Sequence, residues 1–243
     1  MDYQTPTPYG AGYVSDAAAE VRAGFIRRTY GHLAGAILAF VLLEALLFQM
    51  GVPDAMVEML GRSRYSWLIV LLAFMGVSTL AQKWAESSAS SNMQYMGLGL
   101  YVVAEAVIFA PLLWLAQYMS DNNGAGPIIM PAALITLLLF TGLTYTAFTT
   151  KKDFYFLGTF LKISFWIALG VIVAGILFGF NLGLFFSALM VVVAAASILY
   201  TTSNIIKRYN PTQHVAAALA LFASVALLFW YILRILMATS RRS

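Results

Sequence analysis

The sequence predicts an all-α integral membrane protein with seven transmembrane helices, and three observations predict it. Seven apolar runs fall at residues 28–50, 65–82, 94–119, 128–149, 154–180, 182–206 and 214–237. A helix rises about 1.5 Å per residue, so about 20 apolar residues cross a hydrocarbon core of about 30 Å. The chain is 61% hydrophobic and only 10% charged, whereas soluble domains carry about 25% charged residues. The connections between runs are short, so 243 residues leave no room for a second domain. The expected organisation is a polar, partly disordered tail over 1–24, a seven-helix domain over 25–239 and a short tail over 240–243.

Each element has a local reason. The first 24 residues are polar and rich in Ala, Tyr, Pro and Gly, without the basic region and short apolar core of a cleavable signal peptide. The first span is therefore expected to act as the insertion signal. The stretch 6–12 reads as disordered, and 15–22 as a short surface helix capped by Ser15 or Asp16. The connections at 51–64 and 83–93 are too short to fold independently. In the third span Pro111 removes an amide donor and is expected to kink the helix. Gly124, Gly126 and Pro127 break the chain before the fourth span. Gly179, Asn181 and Gly183 make a tight hairpin between the fifth and sixth. Glycines four residues apart, Gly31/Gly35 and Gly175/Gly179, mark places where helix backbones can approach closely.

Composition narrows the function. Without cysteine there are neither disulfides nor thiolate metal sites, and two histidines, His32 and His214, are too few for a histidine-based metal centre. No cofactor is expected. The net charge of +4 comes from basic residues at helix ends, which argues for membrane orientation and against nucleic acid. Arg22, Arg27, Arg28, Lys83, Lys151, Lys152, Lys207 and Arg208 fall on the side of the N-terminal tail. Arg62, Arg64, Arg234, Arg241 and Arg242 fall on the other. This excess places the N-terminus in the cytoplasm. The terminal arginines leave open a six-span variant whose last segment re-enters the membrane.

Four ionisable residues inside spans need a reason, since each costs about 2.5 kcal/mol or more at mid-depth. Glu44 and Arg234 lie at similar depth toward the side opposite the tail, and either pair with each other or snorkel separately to the headgroups. Glu105 lies near mid-depth of the third span, where a short side chain reaches neither surface. It is protonated, paired or facing a wet cavity, which makes it a candidate for proton or cation chemistry; the plainer alternative is a neutral acid bonding a neighbouring helix. Lys162 either snorkels to the tail side or points inward toward Glu105. An enzyme is not expected: the chain has no Gly-x-Ser-x-Gly, no His-Glu-x-x-His, and no aspartate within a span for an acid protease. Asp153 starts a helix beside Lys151 and Lys152, where the helix dipole favours a carboxylate.

Three stretches resemble the Bax inhibitor motif family of membrane proteins. They are FIRRTYGHLAGA at 25–36, KKDFYFLG at 151–158, and a third in parts, LYTTSNII at 199–206, LALFAS at 219–224 and YILRIL at 231–236. The resemblance covers nearly the whole chain. It implies a compact seven-helix fold with the last helix central and, for a bacterial-type member, a place in the inner membrane. It implies contact with the bilayer and one of two roles. One is a pH-sensitive calcium leak or stress-linked membrane modulation, in which calcium or protons are the partners. The other is regulation of a membrane protease or another membrane protein. The family's leak chemistry rests on paired aspartates, one after a tyrosine in the sixth helix and one in the seventh. Here the matching positions are Thr201, after Tyr200, and Ser224. Hydroxyls do not titrate, so a carboxylate latch at these positions is lost. Arg234 matches the family's arginine near the end of the last helix. Glu105 is then the candidate acid, with Thr201 and Ser224 as lining hydroxyls.

Overall fold

The computed structural model describes residues 12–63, 65–87, 90–122, 126–150 and 152–240. Arg64, Lys151, Arg241 and Arg242, which entered the orientation argument, lie outside the described residues, as do Gly124 and the proline-rich stretch 6–11. The helices in order are α1 (Ala19–Gln49), α2 (Val52–Gly61), α3 (Ser66–Ala85), α4 (Ser91–Asn122), α5 (Ile129–Thr149), α6 (Leu157–Phe178), α7 (Leu184–Lys207) and α8 (His214–Ser240). All but α2 are long and apolar enough to cross a membrane. The protein is an integral membrane protein, and α8 is one unbroken helix, so a re-entrant last segment is not formed.

The last helix is the centre. Its most apolar 18-residue stretch is 72% buried, against 11% for α3, α5 and the helix that contains α6. It packs on α7, α1, α4, α5 and α3. Its first half is rich in alanine, and Ala216, Ala217 and Ala218 are buried there, which lets neighbouring backbones come near. Its second half carries Leu228, Ile232 and Leu233 into a core with Phe109, Ala116, Ala132 and Ile198. Phe109 joins the layers: it stacks on Phe229 at 5.6 Å and meets the edges of Phe40 at 5.2 Å and Trp230 at 4.9 Å.

Several sequence expectations are corrected. A 3-10 turn at Val14–Asp16 precedes α1, which begins at Ala19 and runs straight into the first span, so 15–22 is not a separate surface helix. The turn is held instead by the Val14 amide donating to the Tyr209 carbonyl at 2.9 Å. The connection at 51–64 contains α2, entered through Gly51 in the left-handed region (φ 69) and started by Pro53. It does not stand alone: its Asp54 accepts a 2.7 Å bond from Trp114 of α4. Pro111 lies inside α4, as the third span placed it.

The glycine pairs also behave differently from expectation. A Cβ on Gly31 or Gly35 would meet nothing within 4 Å, so these glycines face open space and do not bring helices together. Gly179 caps α6 in the left-handed region (φ 76), and Gly175 sits against its own hairpin at Leu182. The close approach falls at Gly97, where a Cβ would lie 2.5 Å from the Ala81 carbonyl and from the Ala85 amide nitrogen. We expect Gly97→Ala to prise α3 from α4 and cost about 1–3 kcal/mol, while Gly35→Ala leaves stability unchanged or slightly higher. Thermal unfolding of both variants in one detergent checks this, and equal midpoints would refute it.

Candidate functional site

A central cavity of about 1000 Å³ lies among α3, α4, α6, α7 and α8. Its walls are mostly apolar, with Trp67 and Phe74 from α3, Phe109 from α4 and Ile172 from α6. Three of the four candidate pathway residues line it: Glu105 from α4, Thr201 from α7 and Ser224 from α8. All three are buried. The fourth, Lys162, is exposed on α6 and does not line the cavity. Its face of α6 looks outward, which is the snorkelling alternative.

Tyr101 stands one turn before Glu105 on the same helix and lines the cavity with it. Phe74 and Phe222 flank the Tyr101 ring, each with its centroid 6.2 Å away. The aromatic contacts therefore fix the phenol ring on the helix face that carries the acid. Tyr101 was legible in principle, because residues four apart share a helix face. Across the cavity Ser224 donates to the Ala220 carbonyl at 2.9 Å and lies 2.8 Å from the Ser197 hydroxyl. With the Ser224 proton used, Ser197 is the donor of that pair. Ser197 is one turn before Thr201 on α7, the same spacing signal.

The Glu44–Arg234 pair does not form. Arg234 lines the cavity and reaches the Leu182 carbonyl at 3.5 Å. Both carboxyl oxygens of Glu44 are buried without a hydrogen-bond partner. The two residues share a depth but not a facing direction. Among the described residues no three of His, Cys, Asp and Glu converge on a point, and calcium takes about 6–8 oxygen ligands. The residues of the cavity therefore do not fit a tightly held divalent ion.

The tail-side end of the cavity carries Gln82, Glu86, Tyr200 and Tyr209. Burial, reinforced by Glu86 and Tyr200, pushes the Tyr209 hydroxyl up to about 12, so it stays a neutral donor there. This end is fastened by Asp153, which caps the 3-10 turn Phe154–Phe156 ahead of α6 by accepting from the Tyr155 amide at 3.0 Å. The same carboxylate pairs with Arg208 at 2.9 Å, just beyond α7, and Arg208 lies 3.9 Å over the Tyr155 ring. Gly158 seats the Tyr200 ring, since a Cβ there would meet it at 3.0 Å. Phe25 packs on Tyr209 at 6.4 Å. The first two sequence stretches singled out above and the 199–206 part of the third thus meet at one end of the molecule.

The family model described as "Inhibitor of apoptosis-promoting Bax1" matches residues 22–242. The chain belongs to the Bax inhibitor family. It is 31% identical to an uncharacterized Pseudomonas aeruginosa protein, over 91% of this chain and 93% of that one. It is 26% identical to Bax inhibitor 1 of Schizosaccharomyces pombe, over 92% and 79% of the two chains. To LIFEGUARD 4 of Arabidopsis thaliana it is 27% identical, over 90% and 86%. The Bax inhibitor match takes in all seven spans, the cavity and the Asp153 fastening.

The fastening has a predictable pH response. Burial pushes the Asp153 carboxyl up, but bonds from Arg208 and the Tyr155 amide and the charges of Lys207 and Arg208 outweigh it and hold it below the usual 3.8. A lowered carboxylate contributes fully above its unfolded value and is lost as pH falls through the native one. We expect Asp153→Asn to speed amide exchange over 152–157 and around Arg208 at neutral pH, while global stability falls by only about 0–1 kcal/mol, as for exposed pairs. Unchanged exchange in this segment would show that the turn holds without the carboxylate.

Proposed function

We propose that this Bax inhibitor-family protein is a non-enzymatic cation leak pathway through its central cavity, with calcium as the ion and Glu105 as the acid that attracts it. In a bacterial inner membrane with the N-terminus cytoplasmic, such a leak modulates the membrane under stress. The observation that carries this reading is that Glu105, the acid near mid-depth, faces the cavity together with Thr201, Ser197 and Ser224. A carboxylate with several neutral oxygens supplies the ligand chemistry that calcium prefers. It does so weakly, and conduction needs sites that release as well as bind.

A second reading is favoured by one feature. Thr201 and Ser224 stand where the family resemblance implies aspartates, and Ser224 is already satisfied by Ala220 and Ser197. A site without those acids suits a non-conducting regulator that binds a membrane protease or another membrane protein.

Calcium entry into liposomes of the purified protein distinguishes the two between about pH 6 and 8, the range in which perturbed carboxylates titrate. A leak through Glu105 rises with pH as the acid ionises. Glu105→Gln lowers it about tenfold, the equivalent of about 1.4 kcal/mol of lost cation stabilisation. Flux that ignores this substitution sinks the role of Glu105. Flux no greater than in empty liposomes, with a stoichiometric protein partner on co-purification, establishes the regulator.

A further inference from the structure

A second cavity, of about 870 Å³, lies apart from the central one as a groove between α1 and α4 on the outer surface of the bundle. Its lower walls are apolar: Ala39, Leu42 and Leu46 from α1, Val102 and Val103 from α4. Its floor stays open because Gly31 and Gly35 of α1 and Gly99 of α4 carry no side chain, and nothing fills the space where a Cβ would stand. From His32 to Leu42 the groove advances about 15 Å, which is one leaflet of a hydrocarbon core about 30 Å thick.

The tail-side end of the groove is basic. Arg27, Arg28, His32 and Tyr95 line it. Both arginines are exposed, and neither takes part in the ion pairs among the described residues. The His32 ring is fixed by its Nδ1–H, which donates to the Arg28 carbonyl at 2.6 Å. It packs between Tyr95 at 5.4 Å and His214 at 5.0 Å. Two guanidiniums without a counter-ion among the described residues thus stand at headgroup level above an apolar slot one leaflet deep.

We infer that this groove is a binding site for one anionic phospholipid, its phosphate held by Arg27 and Arg28 with the Tyr95 hydroxyl and an acyl chain lying over Gly31, Gly35 and Gly99. Charge complementarity selects the occupant. A basic pocket between transmembrane helices suits an acidic headgroup, and guanidinium recognises phosphate by paired hydrogen bonds. A second copy of the chain suits the groove poorly. Two copies with the same membrane orientation are related by an axis along the membrane normal, so equal depths meet. Arg27 and Arg28 would then face their own counterparts. The site is separate from the central cavity, and the inference does not depend on conduction.

Native mass spectrometry of the full chain, titrated with dioleoyl phosphatidylglycerol or dioleoyl phosphatidylcholine, tests it with identical tails and different headgroups. We expect one phosphatidylglycerol to be retained in preference to phosphatidylcholine. Each removed charge should weaken it roughly fivefold, so Arg27→Gln with Arg28→Gln lowers apparent affinity about 25-fold. Lys83→Gln, on the same side but outside the groove, should change little. Gly35→Leu fills the groove without touching charge, is accommodated by the open space there, and should also abolish the adduct. Equal retention of the two lipids overturns the proposal, as does a loss in Lys83→Gln matching that of the arginine pair, or an adduct that survives Gly35→Leu. Because the chain has no cysteine, Gly31→Cys gives a further readout. Disulfide-linked dimers in membranes would assign the groove to a second copy and overturn the lipid.

Discussion

Interhelical packing in a bilayer gains little from the hydrophobic effect, because lipid tails are as apolar as leucine, so close contact between helices must do the work. In this protein that constraint falls on α8. The alanines of its first half and the Leu228–Leu233 stretch of its second are surrounded by five other spanning helices. The cavity follows from that placement. A polar residue on a central helix has no route to lipid or headgroups, so Ser224 and Arg234 face the interior and need partners there. Ser224 finds Ser197 and Ala220, and Arg234 finds the Leu182 carbonyl at the α6–α7 hairpin. Were α8 peripheral, both residues would face lipid or water and the cavity would lose a wall.

The tail-side end shows how sequence stretches far apart become one device. Asp153, Tyr155 and Gly158 lie before and within the start of α6, while Tyr200, Ser203 and Arg208 lie at the end of α7. The Asp153–Arg208 pair and the Gly158–Tyr200 contact bind the two segments. Tyr209 then joins them to the chain ahead of α1 through the Val14 amide and the Phe25 ring. α6 packs chiefly on α7 and its own preceding turn, so this end is where its position is determined. A wall of the cavity therefore depends on a partly exposed ion pair and a ring stacked under a guanidinium.

The spans were legible because bilayer thickness fixes their length, and hydropathy reads length directly. Depth was legible for the same reason: Glu105 does lie deep inside α4 and Arg234 near the far end of α8. Facing direction was not. Glu44 and Arg234 matched in depth and were opposite in charge but look different ways, and Lys162 turned outward because α6 meets its neighbours along one narrow side. In a soluble helix the apolar stripe reveals direction, but a membrane helix is apolar all round and hides it. Glycine was ambiguous for a related reason. Gly97 admits a backbone and Gly35 admits nothing from the protein, and the one-dimensional spacing is blind to that difference. The short helix α2 was missed because its Gly51 and Pro53 read as a break, although the same two residues also start a helix.

A single acid at mid-depth of the cavity has consequences that a pair of acids there would not have. Two neighbouring carboxylates repel and share a proton, so their titration is coupled and their charge reaches two. Glu105 alone changes charge by one. On the proposed reading a cation entering from the tail side meets Glu86 and then Glu105, both attractive, before it meets Arg234 at the far end. Low-dielectric walls lengthen the reach of each of these charges. The profile thus has a well at mid-depth and a barrier beyond it. Arg234 is held there by one long bond to a backbone carbonyl and, among the described residues, by no carboxylate. If the cavity conducts as proposed, passage would be governed by where that guanidinium points, and Glu105 would decide which ions come near enough for it to matter.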